Sequence, residues 1–369
     1  MKVFVDCRWY SQPGQGVVTY LSALHKAAEE LLRQQGRKDI EFWYGVESIS
    51  ALDAQLIPPQ ANLLQLGRRS MLWRLFGQAF WLRRQGFDVA HFQYVAPIFK
   101  LGMRYVSTIH DILFKRYPEL FSIQHRLPRN LLYSLTAKRA DLVLTVSERS
   151  AQDIVDLMQP RHPPRVIYNG CGIHANITGN DLKPVPSLVN QPFLLTVGRV
   201  EPRKNYGRLL QAFAGSGLAT TGMRLVVVGF CDAEFADEIT ALRNTPGVVW
   251  LDRVPESQLT WLYQHAKAFV YPSLCEGFGI PVLEAIEAGL PYAVSSTFPL
   301  SDVIEQADLV FDPTDTAAIA RALQALCGLH QVPQQRKQLL RKYAWANSAK
   351  QYIAALDSLA PTPGLAAPS

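Results

Sequence analysis

Residues 268–289 read Ala-Phe-Val-Tyr-Pro-Ser-Leu-Cys-Glu-Gly-Phe-Gly-Ile-Pro-Val-Leu-Glu-Ala-Ile-Glu-Ala-Gly. The apolar run Ala268 to Tyr271 has the length and the aromatic and β-branched content of a buried strand. A glycine-rich turn follows. An apolar helical pattern then starts near Pro281, where a missing N–H costs nothing in a first turn, and stops at Gly289. Strand, tight turn and helix form the repeating half of a parallel-sheet unit. Such a turn aims backbone N–H groups and the positive end of a helix dipole at one point, a ready place for a diphosphate.

The same alternation extends in both directions. In the first half, candidate strands are 3–5, 41–44, 89–92, 105–109 and 142–146, with helical patterns at about 17–35, 69–85, 124–139 and 148–158. The second half restarts with strands at 193–197, 224–228, 248–251, 268–271 and 292–295, and helices near 205–214, 232–243, 256–265 and 281–288. Between them, the proline- and asparagine-bearing stretch 173–192 has the composition of a linker and carries the sequon Asn176-Ile177-Thr178. After Asp315 the pattern is helical almost to Ala360, and 361–369 is expected to be a frayed tail. The fold class expected is therefore α/β, with two Rossmann-like doubly wound domains facing a cleft. Their bounds are 1–172 and 193–345 around the linker 173–192, with 346–369 a C-terminal helix able to return to the first domain, and the tail. Open parallel sheets bind ligands at the carboxyl ends of their strands, so two of them across a crevice suit a transfer between two substrates.

Bulk composition agrees with this. A chain of 369 residues exceeds one ordinary core, and 48% hydrophobic with 18% charged residues is a globular balance. The opening Met-Lys-Val-Phe-Val-Asp reads as a first strand and not as a signal peptide. No stretch approaches the ~18 apolar residues of a membrane span, so the expectation is a soluble cytoplasmic protein, able to work at the inner face of the plasma membrane. Five scattered cysteines with no C-x-x-C pair fit reduced thiols and not a zinc site or a disulfide framework. The net charge of +6 suits anionic partners. With no nucleic-acid motif present, nucleic acid is set aside as a partner.

Three segments carry chemistry. Glu276 and Glu284 flank Gly277-Phe278-Gly279. Acidic residues near a helix start can serve the dipole alone, or hold a ligand's hydroxyls; a glycosidase pair would need a spacing of ~5–9 Å across one bond. The second segment, Thr196-Val197-Gly198-Arg199-Val200-Glu201-Pro202-Arg203-Lys204-Asn205, also joins a strand to a helix. Breaking a bond to a diphosphate puts negative charge on the leaving oxygen, and Arg199 and Lys204 are placed to stabilise it, unless they only form a solvated basic loop. The third, Ser107-Thr108-Ile109-His110-Asp111, ends a first-half strand with a histidine that is either structural or a hydrogen-bonding group near a sugar. Residues 68–84 combine five arginines with Trp73, Phe76, Phe80 and Trp81. An amphipathic helix of that kind packs its apolar face into a core, or makes peripheral contact with an acidic membrane.

Together these segments resemble glycosyltransferase family 4, with its two-Rossmann GT-B fold, over residues 3 to about 355. Glu276 to Glu284 looks like the family's E-x7-E motif. Gly198-Arg199 with Arg203-Lys204-Asn205 is similar to its G-R-x-E-x-R-K-N stretch, and His110-Asp111 before Tyr117-Pro118-Glu119 to its H-D…Y-P-E segment. Ala140-Asp141…Thr145-Val146-Ser147-Glu148 and Val166-Ile167-Tyr168-Asn169-Gly170 match further family segments, and Asp6-Cys7-Arg8 with Gly16-Val17-Val18-Thr19-Tyr20 resembles its glycine loop. The resemblance implies an acceptor-binding first domain and a donor-binding second domain. Glu284 would hold the donor ribose, Glu276 and His110 would face the donor sugar, and Arg199 and Lys204 would bind the diphosphate. The amides of Phe278 and Gly279 would lie near sugar and diphosphate, with Gly16 approaching from the first domain. It further implies retention of anomeric configuration without a metal or other cofactor, and the chain has no D-x-D triplet. The partners implied are a nucleotide-sugar donor, with GDP-mannose ahead of UDP- and dTDP-sugars, and a glycan or lipid-linked acceptor in bacterial surface-polysaccharide assembly.

Three positions depart from the family pattern: Val18-Thr19 for Gly-Arg, Asp252 for glycine, and Phe298 to Val303 where Pro-Glu-Val is typical. Two rival classes are weaker. A nicotinamide-dependent epimerase or dehydrogenase would need G-x-G-x-x-G after the first strand, which 11–16 does not supply. A silent nucleotide-sugar-binding scaffold would not need the intact set of Glu276, Glu284, Arg199, Lys204 and His110.

Overall fold

The computed structural model describes residues 1–12, 15–171, 182–231, 243–329 and 336–360. The expected helix at 232–243 up to its last residue, the sequon at Asn176, the first part of the linker (173–181) and the tail lie outside these. Two parallel sheets are present. The first holds seven strands in the order β3-β2-β1-β4-β5-β6-β7: β1 Lys2–Asp6, β2 Glu41–Val46, β3 Asn62–Gln65, β4 Val89–Gln93, β5 Arg104–Thr108, β6 Leu142–Thr145 and β7 Arg165–Val166. The second holds six in the order β10-β9-β8-β11-β12-β13: β8 Phe193–Val197, β9 Arg224–Val228, β10 Val248–Leu251, β11 Ala268–Tyr271, β12 Tyr292–Ser295 and β13 Leu309–Phe311. Every strand pairing among the described residues is parallel. In each sheet the strand order reverses once, between β1 and β4 and between β8 and β11, and this switch point is where open α/β sheets bind ligands.

The helices are α1 Gly16–Gln34, α2 Gln78–Arg84, α3 Leu113–Arg116, α4 Ile123–Arg139, α5 Glu148–Met158, α6 Tyr206–Gly215, α7 Glu256–His265, α8 Ile280–Glu287, α9 Ser301–Glu305, α10 Thr316–Cys327, α11 Lys337–Lys342 and α12 Trp345–Asp357. Compact units form from Met1–Gly170 with Ala344–Ser369, and from Cys171–Tyr343. Within the first, Tyr352 of α12 is fully buried against Phe42 and His91, so the end of the chain completes that unit's core. Within the second, Leu209, Leu210 and Phe213 of α6 and Ile319, Leu323 and Leu326 of α10 cover one face of the sheet.

The sequence patterns missed β3, β7 and β13. These are edge strands of two to four residues, too short to show a period. Helix 69–85 is not regular: a π-helical turn, Trp73–Gly77, precedes α2. The π turn divides the apolar face, so Trp81 packs on the first-unit core with Ala79 and Leu82 while Phe76 and Phe80 stay exposed. The helical stretch after Asp315 is also broken, with α11 ending before Tyr343 and α12 starting after Ala344.

Candidate functional site

The second unit gathers its polar residues at the β8–β11 switch point. β11 ends at Tyr271, and the turn beyond it reaches Gly279, which caps α8 at φ 97°. A side chain there would be strained, and its Cβ would lie 2.4 Å from the Phe298 ring, so glycine is required on both counts. Phe298, one of the departures, thus seals the turn against Gly279 and Tyr271, whose ring centroid is 6.1 Å away. Phe278 is buried against Tyr343 at 5.7 Å.

Glu276 is buried in the middle of this turn. Its Oε1 accepts from Lys204 Nζ at 2.6 Å and its Oε2 from Arg203 Nη1 at 2.6 Å. Lys204 Nζ also donates to the Tyr271 hydroxyl at 2.5 Å, and Arg203 pairs with Glu201 at 2.6 Å. Burial by itself would raise the Glu276 carboxyl, but the charges of Arg203 and Lys204 hold it down at about 2. Burial draws the Lys204 ammonium below its usual value, against the attraction of Glu276. A buried lysine is tolerated only with such a partner. The result is a preorganised pair of cations around one carboxylate at the carboxyl ends of two strands.

Asn205 has a different task. It takes a left-handed conformation at φ 60°, and its side-chain amide donates to the carbonyls of Pro272 at 3.1 Å and Pro313 at 2.7 Å. It ties the Glu276 turn to the β8 turn. Glu284, half-buried on α8, accepts from the Tyr263 hydroxyl of α7 at 2.6 Å, which fixes its rotamer. Of the two cations nominated from sequence, Lys204 joins Glu276, whereas Arg199 stands exposed on the turn after Gly198. Arg203 takes the second place beside Glu276; its sequence signal was its place in the Arg203-Lys204-Asn205 segment, to which no separate role was given. Tyr263 and Tyr271 carried none, because burial made them read as core.

The Arg199 turn rests on β9. A Cβ on Gly229 would come within 1.9 Å of the Gly198 carbonyl oxygen, and backbone offers no flexible escape. Gly229→Ala is expected to displace the 198–199 turn, lowering stability by about 1–3 kcal/mol as overpacked sites do, together with nucleotide affinity. Thermal melting and calorimetric titration check this. Gly16 makes the opposite case: it opens α1 exposed, and a Cβ there would meet nothing within 4 Å. Gly16→Ala should change stability by no more than about 0.5 kcal/mol, so any fall in turnover would report on a ligand.

In the first unit, His110 follows β5 and is buried. Tyr20 meets it edge-on at 4.8 Å, and its Nε2 lies 3.0 Å from Gln93 Oε1, at the end of β4. An amide oxygen only accepts, so His110 carries its proton on Nε2 and presents Nδ1 as an acceptor. Burial, then the neighbouring His91, pushes His110 down to about 3, so the ring is neutral at neutral pH. His91 in turn contacts the Tyr352 hydroxyl and Thr108 Oγ1, each at 2.8 Å. Nearby, Arg8 and Asp6 form a buried ion pair at the end of β1. Of the other departures, Val18 is buried in the first turn of α1 and Asp252 pairs with Arg243 at 2.8 Å.

A sequence profile of glycosyl transferases group 1 matches residues 180–342, and one of Glycosyltransferase Family 4 matches 26–173. Over 265 residues the chain is 33% identical to O-antigen chain mannosyltransferase B of Escherichia coli, covering 66% of this chain and 68% of that one. It is 25% identical to the serotype-specific mannosyltransferase WbdA of Escherichia coli over 69% of this chain, but only a third (33%) of that longer protein. Among solved structures, HepE of Anabaena with UDP and glucose superposes with a TM-score of 0.71 at 18% identity, over 97% of this chain and 100% of that one, a likeness of GT-B-type fold. Motifs, fold and relatives agree: the chain is a glycosyltransferase and belongs to family 4.

Proposed function

We propose that the chain is a retaining, metal-independent hexosyltransferase that moves mannose from GDP-mannose to a lipid-linked or oligosaccharide acceptor in bacterial surface-polysaccharide synthesis. The observation that carries the chemistry is the buried Glu276–Lys204–Arg203 cluster at the switch point. The mannosyl donor and the polysaccharide setting rest on the names of the bacterial relatives. In the reaction, the bond from C1 of the sugar to the diphosphate oxygen breaks, and negative charge grows on that oxygen. Lys204 and the arginines stabilise it with charges already in place. The acceptor hydroxyl attacks C1 from the same face, and its proton passes to the departing phosphate oxygen. Glu276 keeps both cations charged and accepts from sugar hydroxyls. Glu284, held by Tyr263, accepts from the ribose. His110 contributes a neutral acceptor nitrogen, and residues 68–84 bring the chain to the membrane that carries a lipid-linked acceptor.

Calorimetric titration with GDP, UDP, dTDP and ADP tests the donor assignment. GDP is expected to bind most tightly, with Glu284→Ala weakening it about tenfold or more, as loss of a charge-assisted hydrogen bond does. Preference for UDP would replace GDP-mannose by a UDP-hexose, the reading that HepE's ligands favour.

A further inference from the structure

We propose that α4 and the helical segment ending in α2 form one docking surface for an anionic membrane. On α4, Ile123, Leu127, Leu131 and Leu135 recur every fourth residue and are 62, 66, 62 and 39% exposed, while Tyr133 and Ala137 on the other side enter the core. A leucine stripe of that length facing solvent is not a random scatter of surface apolar residues. Met71, Leu72, Phe76, Phe80 and Phe99 form a second exposed apolar set.

The two sets border one segment. The Phe99 ring lies 6.2 Å from Phe76 and 5.7 Å from Phe80. Five residues earlier, Tyr94 stacks on Tyr133 of α4 at 5.1 Å, and the Ala96 N–H donates to Thr136 Oγ1 at 3.2 Å. Residues 94–99 therefore bridge the helices.

Charge selects the occupant. Residues 68–84 and 123–139 hold nine Lys and Arg and no Asp or Glu, whereas the rest of the chain has 28 Lys and Arg against 31 acidic residues. The whole basic excess of the protein sits in these two segments. Among the described residues, none of the nine is ion-paired with a carboxylate. A second copy of this chain placed on the surface would set like charges against each other with no acidic residue in either segment to relieve them. A bilayer with anionic headgroups accepts the apolar stripes between headgroups and the arginines at their phosphates.

This deepens the reading of a membrane-borne acceptor, and it is tested without donor or acceptor, so either can fail alone. The full chain is co-sedimented with phosphatidylcholine–phosphatidylglycerol vesicles and with pure phosphatidylcholine vesicles, at low and high salt. Binding is expected on the anionic vesicles only and weakened by salt. Leu127→Gln/Leu131→Gln and, separately, Arg126→Gln/Arg129→Gln should each lower the partition coefficient about tenfold, with nucleotide binding unchanged as the check of folding. If the leucine pair fails that check, the arginine pair alone decides. No sedimentation of the unmodified chain with anionic vesicles, or variants that partition like it, would overturn the proposal. So would a dimer by light scattering that the leucine pair turns into a monomer.

Discussion

Lys204→Met is expected to lower kcat/KM by about 10²–10³-fold, the loss typical of one preorganised donor to a developing anion. Stability should change little, because Arg203 still faces Glu276 at 2.6 Å. Glu276→Ala should differ in kind. It strips the counter-charge from Lys204, whose side chain is only 7% exposed, and leaving one buried charge unpaired costs about 3–5 kcal/mol. Turnover should fall as well, since the cations lose the carboxylate that holds them. The double variant Glu276→Ala/Lys204→Met should then be more stable than Glu276→Ala alone, because it removes the uncompensated ammonium. Steady-state kinetics and denaturant titrations of all three variants separate these effects. If Glu276→Ala were as stable as the unmodified protein, the buried pair would not be the organising feature of the site.

The second large effect is acid lability of the first unit. His25, His91 and His110 are all buried and neutral. His25 lies among Phe42, Tyr44 and Tyr352 with no hydrogen bond at either ring nitrogen among the described residues, and burial followed by His91 drives it well below its usual value. Burial also takes His91 to about 3, although the charge of Asp6 pulls the other way. Each ring charges readily once the chain unfolds, near pH 6.5. The unfolded state therefore binds more protons, and stability is lost as pH falls from about 6.5 toward about 3. Three such groups give a slope of roughly 1 kcal/mol per pH unit each. Melting curves between about pH 7 and 5, above the carboxylate range, should show a steep fall. His25→Phe, close in volume and set among aromatic rings, should flatten it. An unchanged slope in that variant would mean that His25 does not titrate on unfolding.

Much of this was legible in the sequence, for physical reasons. Central strands buried on both faces write continuous apolar runs, so β1, β8, β9 and β11 stood out, and the glycine turn before Pro281 announced both Gly279 and the start of α8. Edge strands such as β7 and β13 have too few residues to write a pattern. The choice between Arg199 and Arg203 could not be read either, because both follow β8 within a few residues and only the fold decides which guanidinium reaches Glu276. Buried tyrosines are mute in the same way: Tyr263 and Tyr271 look like core until their hydroxyls are seen on Glu284 and Lys204. The leucine stripe of α4 was hidden because apolar spacing along a helix signals a buried face, and only the structure shows which of two apolar faces is left uncovered.

The most direct test of the central claim is transfer itself. The purified chain would be given GDP-mannose and a membrane-extracted lipid-linked acceptor in the presence of EDTA, with UDP-glucose and dTDP-rhamnose as competing donors, and the product linkage read by NMR. The account predicts release of GDP undiminished by EDTA, an α-linked mannose in the product, and loss of both in Lys204→Met. An inverted β-linkage, or dependence on an added divalent cation, would contradict it.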